Sequence, residues 1–556
     1  MSPRFHSNEM TLRAGCRALE PARRVISAPG WVEESARRVQ TLEQHDVVIV
    51  GGGHNGLTAA AYLAQAGRSV TVLERLDEVG GAAVSIEAFD GLDARLSRYS
   101  YLVSLLPASI IRDLKLDVRL ARRRYASYTP RPGTNTGLLV DHGDPAATTA
   151  ALGADAAGWA SLYDDSAVLA RTLFPTVTEP LLTRAEARRA VGDDHAWNAI
   201  IERPIGETIA DLMSDDLVRG VALTDALIGT FVPNVDTTLA GNRCFLVHVI
   251  GGGTGDWDVP IGGMGAVTSE LRRAALAAGA RIRTGAEVTA ITPDGEVTFI
   301  AENAEHRIVG ARVLAGCSPV ELARLLGEAP PAGSDEPAAL GAQVKTNLLL
   351  SRLPRLRDAS VDPAAAFGGT FHINETWSQL QAAFSAAAGG AIPDPLPCEI
   401  YCHSLTDPSI LGPDLRNSGA QTLTVFGLHA PHALAAGLGR EAAHDQLQAA
   451  VLASLNSVLA EPIEPLLLRD ANGRPTIETK STVDLQNALR LPGGNIFHGA
   501  LDWPFAEDAD ELGSAAQQWG VATAHERILL AGAGAKRGGG VSGLGGHNAA
   551  MAVLGQ

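Results

Sequence analysis

Glycines 51, 53 and 56, with a carboxylate at Glu74, are the residues whose types and spacing most directly specify chemistry in this chain. They lie in "VVIVGGGHNGLTAAAYLAQAGRSVTVLER", which begins at Val47. The spacing is GxGxxG, and the acid follows about 20 residues later, where it can accept hydrogen bonds from a ribose. Gly51 allows a tight turn, Gly53 lets a pyrophosphate approach the main chain, and Gly56 lets helix and strand pack closely. Such a turn holds the phosphates of a dinucleotide against a helix N-terminus, where free N–H groups and the dipole favour negative charge. A carboxylate at Glu74 repels a ribose 2′-phosphate, which disfavours NADP.

The elements that must position these groups are readable in order. His45–Val50 is a buried parallel strand by its β-branched run. Leu57–Ala66 reads as a helix stopped by Gly67, and Arg68–Leu73 as a second strand. Gly80-Gly81 follows soon after Glu74, then Ala82, Ala83, Val84 and Ser85. This resembles the continuation of the glutathione-reductase-type FAD fold, which implies FAD rather than NAD as the resident dinucleotide.

Two later segments extend the same domain. In "DVPIGGMGAVTSELRRAALAAGARIRTGAEVTAI" (258–291) a glycine turn at 262, 263 and 265 leads into a helix to about Ala278, followed by strands at Ala280–Arg283 and Ala286–Ile291. "RVLAGCSPVELARLL" then gives a strand and a helix, with Ser318, Pro319 and Glu321 as a capping box. The C-terminal "ERILLAGAGAKRGGGVSGLGGHNAAMAVLG" gives a strand at Ile528–Ala531, a permissive glycine loop and a helix from Asn548 to Leu554. A helix N-terminus aimed at the flavin N1–C2=O edge would stabilise the charge of a reduced flavin.

Together with "PIGGMGAV" at 260–267, "SLTDPSILGPD" at 404–414 and "GGNIFHGAL" at 493–501, these segments make the chain similar to the phytoene desaturase and carotenoid isomerase family of FAD oxidoreductases. Within it, the chain resembles the branch of pyridine nucleotide-disulphide oxidoreductase domain-containing protein 2. The resemblance implies an α/β protein with a discontinuous Rossmann FAD domain (45–119, 245–339 and 486–556). An inserted substrate domain of mixed β-sheet and helices would occupy 120–244 and 340–485. It implies FAD as cofactor, held by Gly51, Gly53, His54, Asn55, Gly56, Glu74, Arg75, Gly80, Gly81, Ala82, Val288, Gly532, Gly534, Gly540, Val541 and Gly543. It also implies a desaturase or dehydrogenase that passes hydride from an apolar, isoprenoid-like substrate to flavin N5. An FAD amine oxidase and a non-catalytic lipid or prenyl carrier are the competing readings of the same fold.

The chain departs from the family at its close. Ala535-Lys536-Arg537 stands where Thr-His-Pro is common, and His547 where arginine is frequent. Lys536 and Arg537 are expected to face solvent, as surface cations usually do. His498 in "GGNIFHGAL" is the candidate acid/base, because histidine titrates near neutrality, although a packing role competes. His403 in "EIYCHSL" is expected on a strand face.

Bulk properties bound the rest. A length of 556 residues suits roughly two to four domains. The net charge of −17 argues against a nucleic-acid partner. Five cysteines without CxxC spacing argue against a disulfide framework and a thiol-based flavin reductase, and for a reducing, cytoplasmic setting. No HExxH motif or Cys/His cluster appears, so no metal site is expected. No apolar run reaches the roughly 18 residues of a membrane span, which leaves room only for peripheral membrane contact. Residues 1–44 read as a poorly ordered extension or an over-long start; their acids, Glu33-Glu34 among them, count against an organellar leader.

Overall fold

The computed structural model describes residues 42–555. Of the expected extension, Glu43 and Gln44 belong to the opening strand, and residues 1–41 lie outside the described residues. That strand, Glu43–Val50, takes the centre of a seven-stranded sheet with spatial order 287–291, 296–301, 304–315, 43–50, 70–73, 281–283; strand 528–530 also pairs with 304–315. The pairings of 43–50 with 70–73 and 304–315, of 70–73 with 281–283, and of 304–315 with 528–530 are parallel. The VVIV run is therefore buried on both faces, as helix-covered parallel strands require. Strands 287–291 and 296–301 form an antiparallel meander onto the first half of 304–315.

A second seven-stranded sheet has the order 477–480, 344–350, 421–427, 398–401, 370–373, 125–130, 137–141. It is mixed: 370–373 runs parallel to 125–130 and the other neighbours are antiparallel. Helices between Pro145 and Val249 cover one side of this half, with Trp197, Phe245 and Phe505 fully buried among them. This is the expected Rossmann-type α/β layer with a mixed-sheet and helical partner. From Leu42 onward the chain forms one compact unit.

The first helix, His54–Gln65, lies against the central strands with Leu57, Ala59, Ala60, Ala61 and Leu63 fully buried. Each buried leucine contributes about 2 kcal/mol or somewhat more. The final helix, Leu544–Leu554, crosses it so closely that a Cβ on Gly546 would sit 1.8 Å from the Asn55 carbonyl oxygen. Small residues at this crossing bring the N-terminal and C-terminal segments together.

Four local expectations are corrected. The first helix begins at His54 rather than Leu57, because Gly53 takes the extended N-cap conformation. The final helix begins at Leu544 rather than Asn548, since Gly543 at φ +73° turns the chain directly into it. The capping box at Ser318 is half formed: its hydroxyl accepts from the Glu321 N–H (3.1 Å), but the Glu321 carboxylate pairs with Arg324. His403 opens a short helix, His403–Thr406, because strand 398–401 ends one residue before Cys402 turns the chain.

Candidate functional site

The GxGxxG turn is drawn tight by its own main chain. Gly51 has φ +100° and its N–H donates to the Leu73 carbonyl (2.8 Å). A Cβ on Gly56 would lie 2.1 Å from the Gly51 oxygen, so only glycine permits this crossing of strand and helix. The helix begins with no side-chain cap and no acid in its first turn, which leaves its N–H groups and positive dipole end free for an anion.

Glu74 stands at the end of strand 70–73, buried to 8% exposure. Its Oε2 accepts from the Gly52 N–H (2.7 Å) and its Oε1 from the Leu76 N–H (2.8 Å), so the acid also fixes the turn. Gly80, at φ +130°, donates to the Gly52 carbonyl (2.9 Å), and Gly81 packs against Gly53 with positive φ. The second glycine pair thus lies against the first. From the other end of the chain, Gly540 (φ +68°) brings its carbonyl within 3.1 Å of His54 Nε2.

These segments line a cleft that opens to solvent and holds about 1680 Å³ of space not filled by protein atoms. Of the expected cofactor residues, Gly51, Gly53, His54, Asn55, Gly56, Glu74, Arg75, Gly81, Ala82, Val288, Gly540 and Val541 line it. Gly80, Gly532, Gly534 and Gly543 stand behind the wall. Gly532 accommodates the Gly316 carbonyl (2.7 Å from a Cβ), Gly534 the Pro319 ring (2.6 Å), and Gly543 the Thr58 hydroxyl (2.9 Å). They let the C-terminal loop lie close to strand 304–315 and the first helix.

His498 lines the same cleft in a left-handed conformation, φ +67°. Burial pushes its ring down to about 4, and His54 adds to this, while the Cys317 carbonyl opposes it. The ring is therefore neutral near pH 7, and its Nδ1 has no protein partner. Asn55 Oδ1 is likewise buried without a partner. Burial also holds His54 down at about 4 against the Gly540 carbonyl. Arg537 does not face solvent: its guanidinium turns inward to the carbonyls of Thr176 (2.9 Å), Glu179 (2.8 Å) and Trp519 (3.3 Å). Three backbone acceptors replace part of the hydration it gives up, and burial still lowers it to about 9. Lys536 pairs with Glu511 and Asp502.

Beyond the cleft lies a chamber, also open to solvent, with about 1810 Å³ of space not filled by protein atoms. The two share a wall of Tyr101, Leu102, Ile228, His248 and Trp257. Tyr101 stacks on Trp257 (6.0 Å, 3°) and packs against Tyr401 (4.7 Å) and Phe426 (4.8 Å). His248 Nδ1 lies 2.8 Å from the Cys244 carbonyl, and the ring is stacked on Trp257. Its lining mixes apolar residues, Val140, Leu152, Trp159, Val221 and Val249, with Arg123, Asp225, His372 and Glu399.

His372, Glu375 and Glu399 bring ligand-type atoms within 4.8 Å of one another, a grouping that sequence spacing did not disclose. They are joined by hydrogen bonds: His372 Nδ1 to Glu375 Oε2 (2.9 Å), Thr224 Oγ1 to both carboxylates (2.8 and 3.1 Å) and the Tyr401 hydroxyl to Glu399 (2.9 Å). Burial and the neighbouring Glu375 charge raise the Glu399 carboxyl above its ordinary range. Among the described residues, Cys244, Cys317, Cys398 and Cys402 are free thiols, and no helix is long and apolar enough to cross a membrane.

The chamber residues escaped sequence reasoning because they are single residues on separate elements, with no shared spacing. The one available signal was the local density of aromatic and titratable types in "YCHSL" and "LVHVI".

Comparison with known proteins accords with this geometry. The model of the NAD(P)-binding Rossmann-like domain matches residues 49–110, the segment that forms the glycine turns. Pyridine nucleotide-disulfide oxidoreductase domain-containing protein 2 of Rattus norvegicus is 28% identical over 600 residues, covering 98% of this chain and 99% of that protein. In fold the chain is similar to putrescine oxidase: a structure of that protein bound to putrescine superposes with a TM-score of 0.54 at 18% identity, covering 92% of this chain and 99% of that one. Uncharacterized protein Rv0897c of Mycobacterium tuberculosis is 59% identical over 524 residues, covering 92% of this chain and 97% of that protein. With so much of both sequences shared, the chain belongs to the protein family of Rv0897c.

Proposed function

We propose that the chain is an FAD-dependent oxidoreductase of the dehydrogenase type, oxidising a small molecule held in the chamber. The observation that carries this reading is the shared wall: a dinucleotide-type cleft and a second large cavity meet at Tyr101, Leu102, Ile228, His248 and Trp257. The protein fits FAD on its own chemistry. An uncapped helix N-terminus and crowded glycines suit a pyrophosphate, Glu74 suits a ribose, and the unpartnered Asn55 Oδ1 and His498 Nδ1 offer polar atoms at the cleft. When bound, FAD supplies a hydride acceptor at N5.

The protein's share is to bind, orient and exclude water. The stacked Tyr101–Trp257 pair and Ile228 would press a substrate carbon toward the cleft. The neutral His498 acts here by positioning, as a hydrogen-bond acceptor at the cleft. The chamber lining favours a substrate with an apolar body and a polar end over a wholly apolar isoprenoid, because charged groups share its wall with apolar side chains. On this reading 45–119, 245–339 and 486–556 form the flavin domain, and 120–244 with 340–485 form the substrate domain.

An amine oxidase is the second reading, and two observations favour it. Tyr101, Trp257, Tyr401 and Phe426 cluster beside the cleft, and burial brings Lys345, which donates to the Ser97 and Ser100 carbonyls beside the Phe426 ring, down to about 7. Purified protein should carry the absorbance of oxidised flavin. Anaerobic mixing with panels of alcohols, organic acids and amines should bleach it for one panel, and peroxide release with amines alone would select the second reading. A colourless protein that takes up no added FAD would overturn both.

A further inference from the structure

The chamber lining holds two residues of opposite charge type, Arg123 and Asp225, that form no ion pair among the described residues. Arg123 lies in its wall, enclosed by protein yet partly accessible because it faces the chamber. Its Nε donates to the Trp257 carbonyl (3.2 Å) and its Nη1 to the Thr370 hydroxyl (3.2 Å). Its Nη2 has no acceptor, and the guanidinium forms no ion pair, among the described residues. The neighbouring arginines are neutralised: Arg122 pairs with Asp256 (2.7 Å) and Arg124 with Asp141 (2.9 Å). Asp225 also faces the chamber with no hydrogen-bond partner among the described residues.

The two differ in how they answer burial. A carboxylate deprived of solvent takes up a proton and becomes neutral, whereas a guanidinium stays charged at any pH a protein survives. Burial raises Asp225 and Asp258, and burial with the Glu375 charge raises Glu399, so each holds its negative charge less firmly than a solvated carboxylate. Burial lowers Arg123 as well, but from so high a value that it remains a cation. Glu399, moreover, already accepts from Thr224 and Tyr401, and the Tyr401 ring lies under the guanidinium at 5.7 Å. Arg123 is thus a chamber cation with a free donor and no ion pair among the described residues, and the chamber wall also carries Leu152, Trp159, Val221 and Val249.

We propose that Arg123 is the recognition site for the carboxylate of an organic-acid substrate whose apolar body lies along that wall. This rests on the chamber being the substrate site of the oxidoreductase proposed above. A carboxylate matches the planar fork and supplies the acceptor that Nη2 lacks, with charge-assisted hydrogen bonds strengthened by the enclosure.

Isothermal titration of the purified, FAD-loaded protein with decanoate, decan-1-ol and decylamine tests this without any turnover. Decanoate should bind about tenfold or more tightly than decan-1-ol at pH 7. Arg123→Met should remove that advantage while leaving decan-1-ol affinity unchanged. Equal affinities for decanoate and decan-1-ol in the native protein would overturn the assignment, even if the variant fails to fold. So would tighter binding of decylamine, which would assign the chamber to cations through Asp225. Flavin content, measured on the same samples after denaturation, separates a failure of this site from a failure of the FAD reading.

Discussion

Replacing Glu74 with glutamine isolates the contribution of one buried carboxylate to cofactor binding. Its main chain is locked by neighbouring strands, with Glu74 N–H donating to the Arg283 carbonyl and Ala286 N–H donating to the Glu74 carbonyl, each at 2.8 Å. The isosteric side chain should therefore stay in place. Two acceptor oxygens now serve the N–H groups of Gly52 and Leu76. In glutamine one oxygen becomes a donor, so one of those N–H groups loses its acceptor, costing about 1–3 kcal/mol of stability. The ribose loses a charged acceptor as well, and hydrogen bonds to charged groups contribute about 1.5–3 kcal/mol. The FAD dissociation constant of Glu74→Gln should rise about 10- to 150-fold. Titration of apoprotein with FAD, followed by flavin fluorescence quenching, measures it directly, and thermal melts of the apoprotein read the stability loss alone. A constant within about threefold of the native value would refute the ribose assignment, whatever the melts show.

Two further perturbations probe the frame and its titration. Gly546→Ala places a Cβ 1.8 Å from the Asn55 oxygen and should cost at least ~3 kcal/mol by denaturant melts, with loss of FAD; Gly437→Ala, where a Cβ meets nothing within 4 Å, should cost nothing. His429 is 2% exposed, neither ring nitrogen has a partner, and burial holds it at about 3 against an ordinary 6.5. The unfolded chain then binds a proton that the folded chain refuses, so this contribution is intact above pH 6.5 and is lost as pH falls toward 3. At pH 5 the loss should be about 2 kcal/mol, and His429→Asn, which tolerates the φ of +52°, should remove that increment from a comparison of stability at pH 7 and pH 5. An unchanged difference between the two pH values would show that His429 does not titrate in this window.

The nucleotide half of the molecule was legible because its signals are local. Glycines 51, 53 and 56, the acid at 74 and the pair at 80–81 are fixed by backbone sterics within one strand–helix–strand unit. Boundaries slipped where glycine opens a helix, as at Gly53 and Gly543, since a glycine N-cap has no side chain to signal the start. His403 was misplaced because "EIYCHS" alternates like a strand, while the sheet pairing stops at Tyr401. Arg537 looked exposed because its acceptors are carbonyls of residues 176, 179 and 519, distant in sequence and carrying no sign of the interaction in their types. The chamber was illegible for the same reason. Arg123, Asp225, His248 and Tyr401 converge only after the second sheet and its helices have packed.

The contact between His54 and Gly540, and the crossing of the first and final helices at Gly546, also constrain how the protein is made. His54 and Gly540 are 486 residues apart, so in synthesis the glycine turn precedes strand 528–530 and helix Leu544–Leu554 by most of the domain. The cleft wall stays incomplete until these elements have been made, so a dinucleotide would be captured in finished form only after that point. Truncation within the last turns of the closing helix should therefore yield full-length-sized but colourless, protease-sensitive protein.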